Sequence, residues 1–203
     1  MSVSEFDRLI DEALTHAFAG WDFSWLAGRW LEEEPSWDYR QIVRDAIANA
    51  GSLLDMDTGG GEVLSSLQPL PPITVATESY PPNILVAQAR LQPLGVQVVT
   101  PDSDRRLPFA DAAFDVVINR HGAFDAAAIH RVLRPGGAFI TQQVGGDNCI
   151  QLNQFLQDGP AVPWPFWTLD YAVRQLEDAG FAITRTADEY LDSVFRDIGG
   201  VVF

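Results

Sequence analysis

The sequence predicts an α/β protein: a doubly wound, mostly parallel sheet with helices on both faces, plus an N-terminal helical segment. Three observations carry this. Short apolar, β-branched runs alternate with helical patterns from residue 52 to residue 144, as a parallel sheet of strand–helix–strand units requires. The first run, Leu53-Leu54-Asp55-Met56, passes through Asp57-Thr58-Gly59-Gly60-Gly61 into a helix start at Glu62. The second run, Ile73-Thr74-Val75-Ala76-Thr77, ends in a carboxylate, Glu78.

At 203 residues the chain has the length of one domain, or one domain with a small appendage. Its formal net charge is −15, which repels phosphate backbones and anionic lipid, so neither nucleic acid nor a membrane is an expected partner. All 13 basic residues are arginines. Without lysine there is no Walker P-loop and no lysine Schiff base. The single cysteine, Cys149, forms no internal disulfide, and no metal site is expected. The N-terminus is acidic and amphipathic, lacks a basic n-region, and is read as no signal peptide. Cytoplasm is the expected compartment.

Taken in order, Ser4 is expected to cap a helix to about Phe18, with Asp7 at the capping-box position. Residues 21–37 are dense in aromatics, which fill core or wall a pocket. Packing of the N-terminal helix is the favoured role, with Trp21 and Trp25 as candidate substrate contacts. Ser36 is expected to cap a second helix, to about Ala50. These elements make residues 1–50 a helical cap on a domain spanning 51–203.

Within that domain, Pro69–Pro72 breaks the short helix after the glycine turn. A helix from about Asn83 to Leu94 follows the second strand, and Val96–Thr100 is a third strand. Phe114–Arg120 is a fourth strand, Asp125–Leu133 a helix, Arg134–Gly137 a turn, and Ala138–Val144 a fifth strand. Thr168 is expected to cap a helix ended by Gly180. Phe181–Thr186 reads as a sixth strand, and Gly200–Phe203 as the start of a seventh, so that the C-terminal strand looks incomplete.

The glycine run lets the backbone take positive φ and lets a ligand approach the main chain. The next helix aims free N–H groups at the same place. Glu78 follows Asp55 at about the 20-residue spacing at which an acidic strand tip accepts ribose hydroxyls. Two carboxylate oxygens suit two adjacent hydroxyl donors. A dinucleotide fold prefers G-x-G-x-x-G, whereas this chain has Leu64 at the last position, which disfavours NAD(P).

On four segments the chain resembles the class I S-adenosylmethionine-dependent methyltransferases, which have a Rossmann-like fold. Leu53–Gly61 looks like the family's first motif, and Thr77-Glu78 matches its ribose-binding acid. Leu107-Pro108-Phe109 through Phe114-Asp115-Val116-Val117 looks like the segment leading into the fourth strand, with Leu107-Pro108-Phe109 read as packing. Arg131–Gly137 resembles the turn before the fifth strand. Asp57 stands where the family usually has glycine; aspartate tolerates left-handed backbone better than most residues.

The resemblance implies S-adenosylmethionine as cofactor and methyl transfer to an acceptor. It implies that Asp55, Asp57, Thr58, Gly59 and Gly61 border the methionine and ribose parts of the cofactor. Glu78 would take the ribose hydroxyls, with Ser79 and Tyr80 close to the adenosine and Asp104 at the adenine. Asn119, Arg120 and His121 would end the fourth strand beside the transferring methyl, with His121 as base or substrate contact. Trp164, in a proline- and tryptophan-rich stretch, is a further candidate for the acceptor pocket, which is expected to take a small molecule. Two alternatives stand beside this reading: a non-catalytic member that binds cofactor or a partner protein, and an NAD(P)-dependent reductase.

Overall fold

The computed structural model describes residues 4–18, 20, 22–102, 106–156 and 164–203. Its centre is a five-stranded sheet of order β4-β3-β2-β5-β6, with every neighbouring pair parallel. The strands are β2 (Ser52–Met56), β3 (Ile73–Thr77), β4 (Gln97–Val99), β5 (Phe114–Arg120) and β6 (Leu133–Gln142). Strand side chains alternate between faces, so adjacent residues enter different cores. Leu53 joins Tyr39, Val43, Leu64, Leu91 and Ile118 on one side, whereas Leu54 joins Phe114, Val117, Ile129 and Val132 on the other. Both leucines are fully buried, each contributing about 1.5–3 kcal/mol by transfer from water. Helices α2 (Tyr39–Ile47), α3 (Glu62–Ser65) and α4 (Pro81–Leu91) supply the first core, and α5 (Ala126–Val132) the second. The expected architecture is the observed one.

Two motif segments turn out to be structural clamps. Asp115, at the start of β5, accepts hydrogen bonds from the Gly51 and Ser52 amides and the Ser52 hydroxyl, and pairs with Arg134. It fastens β5 to the start of β2. Arg131 donates to the Leu107 and Phe109 carbonyls and to Asp111, holding the Leu107-Pro108-Phe109 loop against α5.

Helix α1 (Glu5–Thr15) is capped by Ser4, whose hydroxyl accepts from the Asp7 amide, as expected. Four local expectations are corrected. Asp38, not Ser36, caps α2, accepting from the Gln41 amide, while the Ser36 amide is drawn to Glu189. The Arg134–Gly137 turn lies inside β6: Leu133 pairs with Phe114 and the ladder resumes at Ala138 opposite Val116, leaving four residues bulged out of register. Phe181–Thr186 forms no ladder among the described residues; Phe181 packs on His130 and Phe139 instead. The C-terminal residues form a helix, α8 (Ile198–Val202), capped by Asp197, rather than a strand. The remaining strand precedes it: β7 (Ser193–Phe195) pairs antiparallel with β1 (Trp30–Glu32). Helices α6 (Ile150–Leu156) and α7 (Leu169–Asp178) complete the chain, and Thr168 caps α7 as expected.

The N-terminal residues are thereby held by the C-terminal ones. Trp25 stacks on Phe203 with ring centroids 4.8 Å apart, His16 and Phe18 border the same ring, and Arg29 lies over the Trp25 face while pairing with Asp197. Among the described residues no helix is long and apolar enough to cross a membrane.

Candidate functional site

The carboxyl ends of β3, β2 and β5 lie side by side, where open α/β sheets bind ligands. The turn after β2 is tied to the tip of β3: the Thr58 amide donates to the Thr77 carbonyl at 2.9 Å and the Asp57 amide to the Thr77 hydroxyl at 3.2 Å. Asp57, Gly59 and Gly61 all have left-handed backbone, with φ of 54°, 63° and 80°. At Gly61 a Cβ would meet Leu91 at 2.8 Å, so α3 starts against α4 only because that residue has no side chain.

Asp55 is buried beneath this turn and accepts a 2.6 Å hydrogen bond from the Thr58 hydroxyl. Burial pushes its carboxyl up to about 7, against the opposing hydrogen bond from Thr58, and the Asp57 and Glu78 charges add to the rise. Glu78, also buried, accepts from the Tyr80 amide at 2.7 Å and from Asn83 at 3.5 Å. Ser79 beside it is exposed. The N-terminal segment reaches the same place. The Gly20 amide donates to Asn83 at 3.0 Å, and a Cβ on Gly20 would come within 3.2 Å of the Gly60 Cα.

At the tip of β5, Asn119 is fully buried. Its amide donates to the Met56 carbonyl, and its oxygen accepts from Gln143 at 2.6 Å. Tyr39 donates to the Asn119 carbonyl, and Trp37 to Gln142. Arg120 is half-buried, with Arg40, Tyr39, Glu34 and Glu32 as its charged or ionisable neighbours. His121 follows with φ 65°, its amide bound to the Gln142 carbonyl. Burial, reinforced by the Arg120 charge, lowers the His121 imidazole to about 4, so it is neutral near pH 7.

The fold thus gathers Asp55, Asp57, Thr58, Gly59, Gly61, Glu78, Ser79, Asn119, Arg120 and His121 around adjacent strand tips. Trp25 is engaged in the aromatic cluster with Phe203. Trp164 is exposed, packed edge-on to Phe166, and its carbonyl lies against Gly146 in the loop after β6. Trp21 and Asp104 lie outside the described residues. Sequence reasoning missed Gly20, Tyr39, Asn83, Gly122 and Gln143. Each acts through a contact distant in sequence, and none sits in a local pattern that marks it.

The glycine turn, the buried acid below it and the buried acid on the neighbouring strand suit a nucleoside carrying vicinal hydroxyls and a cationic tail. Residues 54–141 match the family model described as a methyltransferase domain. No curated protein matches the sequence. Among solved structures, the chain is similar to a SAM-dependent methyltransferase from Aquifex aeolicus, with 18% identity and TM-score 0.58 over 80% of this chain and 92% of that one. It is similar to a candidate methyltransferase from Bacillus halodurans C-125, with 23% identity and TM-score 0.57 over 73% and 70%. A third likeness is to the complex between the Haloferax volcanii Trm112 methyltransferase activator and a candidate methyltransferase, with 18% identity and TM-score 0.56 over 89% and 76%. At these identities the likeness is one of fold. The matched segment carries the same motifs that the sequence resemblance rests on, and it favours a methyl donor over a nicotinamide. Residues 54–141 thus match a methyltransferase domain in sequence, and the chain shares its fold with solved methyltransferases.

Proposed function

We propose that this chain binds S-adenosylmethionine across the tips of β2 and β3 and transfers its methyl group to a small-molecule acceptor beside the tip of β5. The observation that carries the reading is the pair of buried acids, Asp55 and Glu78, flanking a turn with three left-handed residues. Bound there, S-adenosylmethionine supplies an electrophilic methyl on a sulfonium. Glu78 accepts the ribose hydroxyls, held in place by the Tyr80 amide and Asn83. Asp57 would put negative charge near the cationic tail, and a cation bound there would favour the ionised form of Asp55, whose carboxyl burial raises in the free chain. The Thr58–Gly61 backbone lets the ligand approach closely.

Methyl transfer is an in-line displacement, so the protein's main task is to hold the acceptor in line in a dry site. In this reading Asn119, Arg120 and His121 border the acceptor. A neutral His121 can take a proton from an acceptor that must lose one. The net charge of −15 supports a small acceptor over nucleic acid. We divide the chain into a cap over residues 1–50 and a domain over 51–203, with Asp104 at the adenine and Trp21, Trp25 and Trp164 at the pocket margin, and place it in the cytoplasm.

Isothermal titration of S-adenosylmethionine and S-adenosylhomocysteine into the purified protein tests this, with Glu78→Ala as control. The expected result is roughly micromolar binding that weakens at least about tenfold in the variant. A folded wild-type protein that binds neither would overturn the reading and favour a non-catalytic binding module.

A further inference from the structure

Most described arginines either pair with a carboxylate or lie exposed in water, as Arg40, Arg106, Arg174, Arg185 and Arg196 do, and the part-buried Arg44 donates to the Ser66 carbonyl. Among the described residues, Arg8, Arg29, Arg90, Arg131 and Arg134 each pair with a carboxylate. Arg120 is different. It is half-buried at the carboxyl end of β5, between Asn119 and His121, and among the described residues it has no carboxylate within ion-pair distance, in a protein with 28 acidic residues. The acids around it, Glu32 and Glu34, act on it without touching it, and Arg40 adds a like charge. A guanidinium removed from water without a partner is unfavourable, and carboxylates were abundant enough to supply one. A charge kept unpaired at the ligand end of a sheet is therefore best explained by what arrives there.

On the methyl-transfer reading, which this inference rests on and narrows, we propose that the acceptor is a carboxylic acid whose carboxylate is held by Arg120. A planar guanidinium matches a carboxylate with two parallel hydrogen bonds, which fixes orientation as well as charge. That orientation is what an in-line transfer needs from an acceptor. Glu32 and Glu34 repel further negative charge, which favours a single carboxylate over a polyphosphate. Trp37, bonded to Gln142, the residue paired with Arg120 across β5 and β6, gives the neighbourhood an aromatic wall. The acid-bearing part of the acceptor is accordingly flat or apolar.

Phenylacetate and its uncharged analogue phenylacetamide are suitable probes. S-Adenosylhomocysteine is titrated first; failure of the wild type to bind it overturns the cofactor reading, separately from this one. Protein saturated with it is then titrated with each probe, followed by ligand-observed NMR. Wild type is expected to bind the acid at least about tenfold more tightly than the amide. Arg120→Gln is expected to erase that preference with S-adenosylhomocysteine affinity unchanged. Arg120→Lys, which keeps the charge and loses the fork, is expected to reduce the preference and serves if Arg120→Gln fails to fold. Arg40→Gln is expected to retain it. Equal binding of acid and amide, no saturable binding of either, or a preference that survives in both Arg120 variants would overturn the proposal.

Discussion

Asp57 and Gly122 fit each other: a Cβ placed on Gly122 would lie 2.7 Å from the Asp57 Cβ and 2.7 Å from the Asn119 amide nitrogen. Asp57 occupies a left-handed position, φ 54°, a conformation that glycine adopts more readily. Its side chain is accommodated because the loop after β5 has none at residue 122.

A coupled substitution series follows. Gly122→Ala is expected to cost about 1–3 kcal/mol by overpacking. Asp57→Gly alone is expected to be near neutral, since relief of left-handed backbone offsets added chain entropy. Combined, they should cost less than the sum, because the Asp57 Cβ is one of the two obstacles. Urea unfolding of the four proteins measures the coupling, expected at about 1 kcal/mol. Strict additivity would refute the fit.

Asp55 gives stability an unusual pH dependence. Its carboxyl is raised to about 7 in the folded chain, so the folded state holds a proton that the unfolded state releases near pH 4. Below about pH 4 both states are protonated and the effect vanishes. Between about pH 4 and 7 stability falls as pH rises, and above that the loss is complete. Asp55→Asn keeps an acceptor for the Thr58 hydroxyl and removes the titration. Relative to that variant, wild type is expected to lose about 2 kcal/mol or more between pH 5 and 7.5 in urea unfolding. Parallel pH profiles would show that Asp55 stays ionised.

These relationships differ in how far the sequence reveals them. The strands β2, β3 and β5 were legible because each is a short β-branched or apolar run bounded by turn residues, and the two acids stand at their ends. The pairing of β1 with β7 was not, since residues 30–32 and 193–195 meet only after the whole domain has folded between them. Gly200–Phe203 reads in sequence as the start of a strand, next to Gly199. In the folded chain these glycines are buried helical residues, and a Cβ on them would come within 3.1 Å of the Leu9 and Arg29 carbonyls respectively. Close approach of α8 to the backbone of α1 at Leu9 and to that of Arg29 favours glycine there, against its low helix propensity. At the site, the acids and glycines were visible, whereas Asn83, which accepts from the Gly20 amide, and Gln143, which donates to Asn119, act through tertiary hydrogen bonds that leave no local signal.

The aromatic staple ties the residues around α1 to the end of the chain, outside the two cores of the sheet. Phe203 touches Trp25, His16 and Phe18, all in the N-terminal segment. Phe203→Ala is expected to destabilise by about 1–2 kcal/mol, less than a fully buried phenylalanine would. Hydrogen exchange should quicken in α1 and β1 and stay slow in β2 and β5. Uniform acceleration across the sheet would mean that cap and sheet open as one unit.

His121 should not titrate in the range usual for imidazole. Burial and the adjacent Arg120 charge lower it to about 4, so the folded chain keeps it neutral where the unfolded chain begins to protonate near pH 6.5. Its contribution to stability is complete above about pH 6.5 and is lost as pH falls from there towards 4, where the folded state at last takes the proton. The imidazole ring protons of His121, assigned through His121→Gln, are expected to hold constant NMR shifts from pH 5.5 to 8. Arg120→Gln removes the nearby cation and should raise the His121 midpoint. The larger share of the shift should remain, because burial outweighs the charge. A wild-type midpoint near 6.5 would place the ring in water and overturn its burial at the tip of β5.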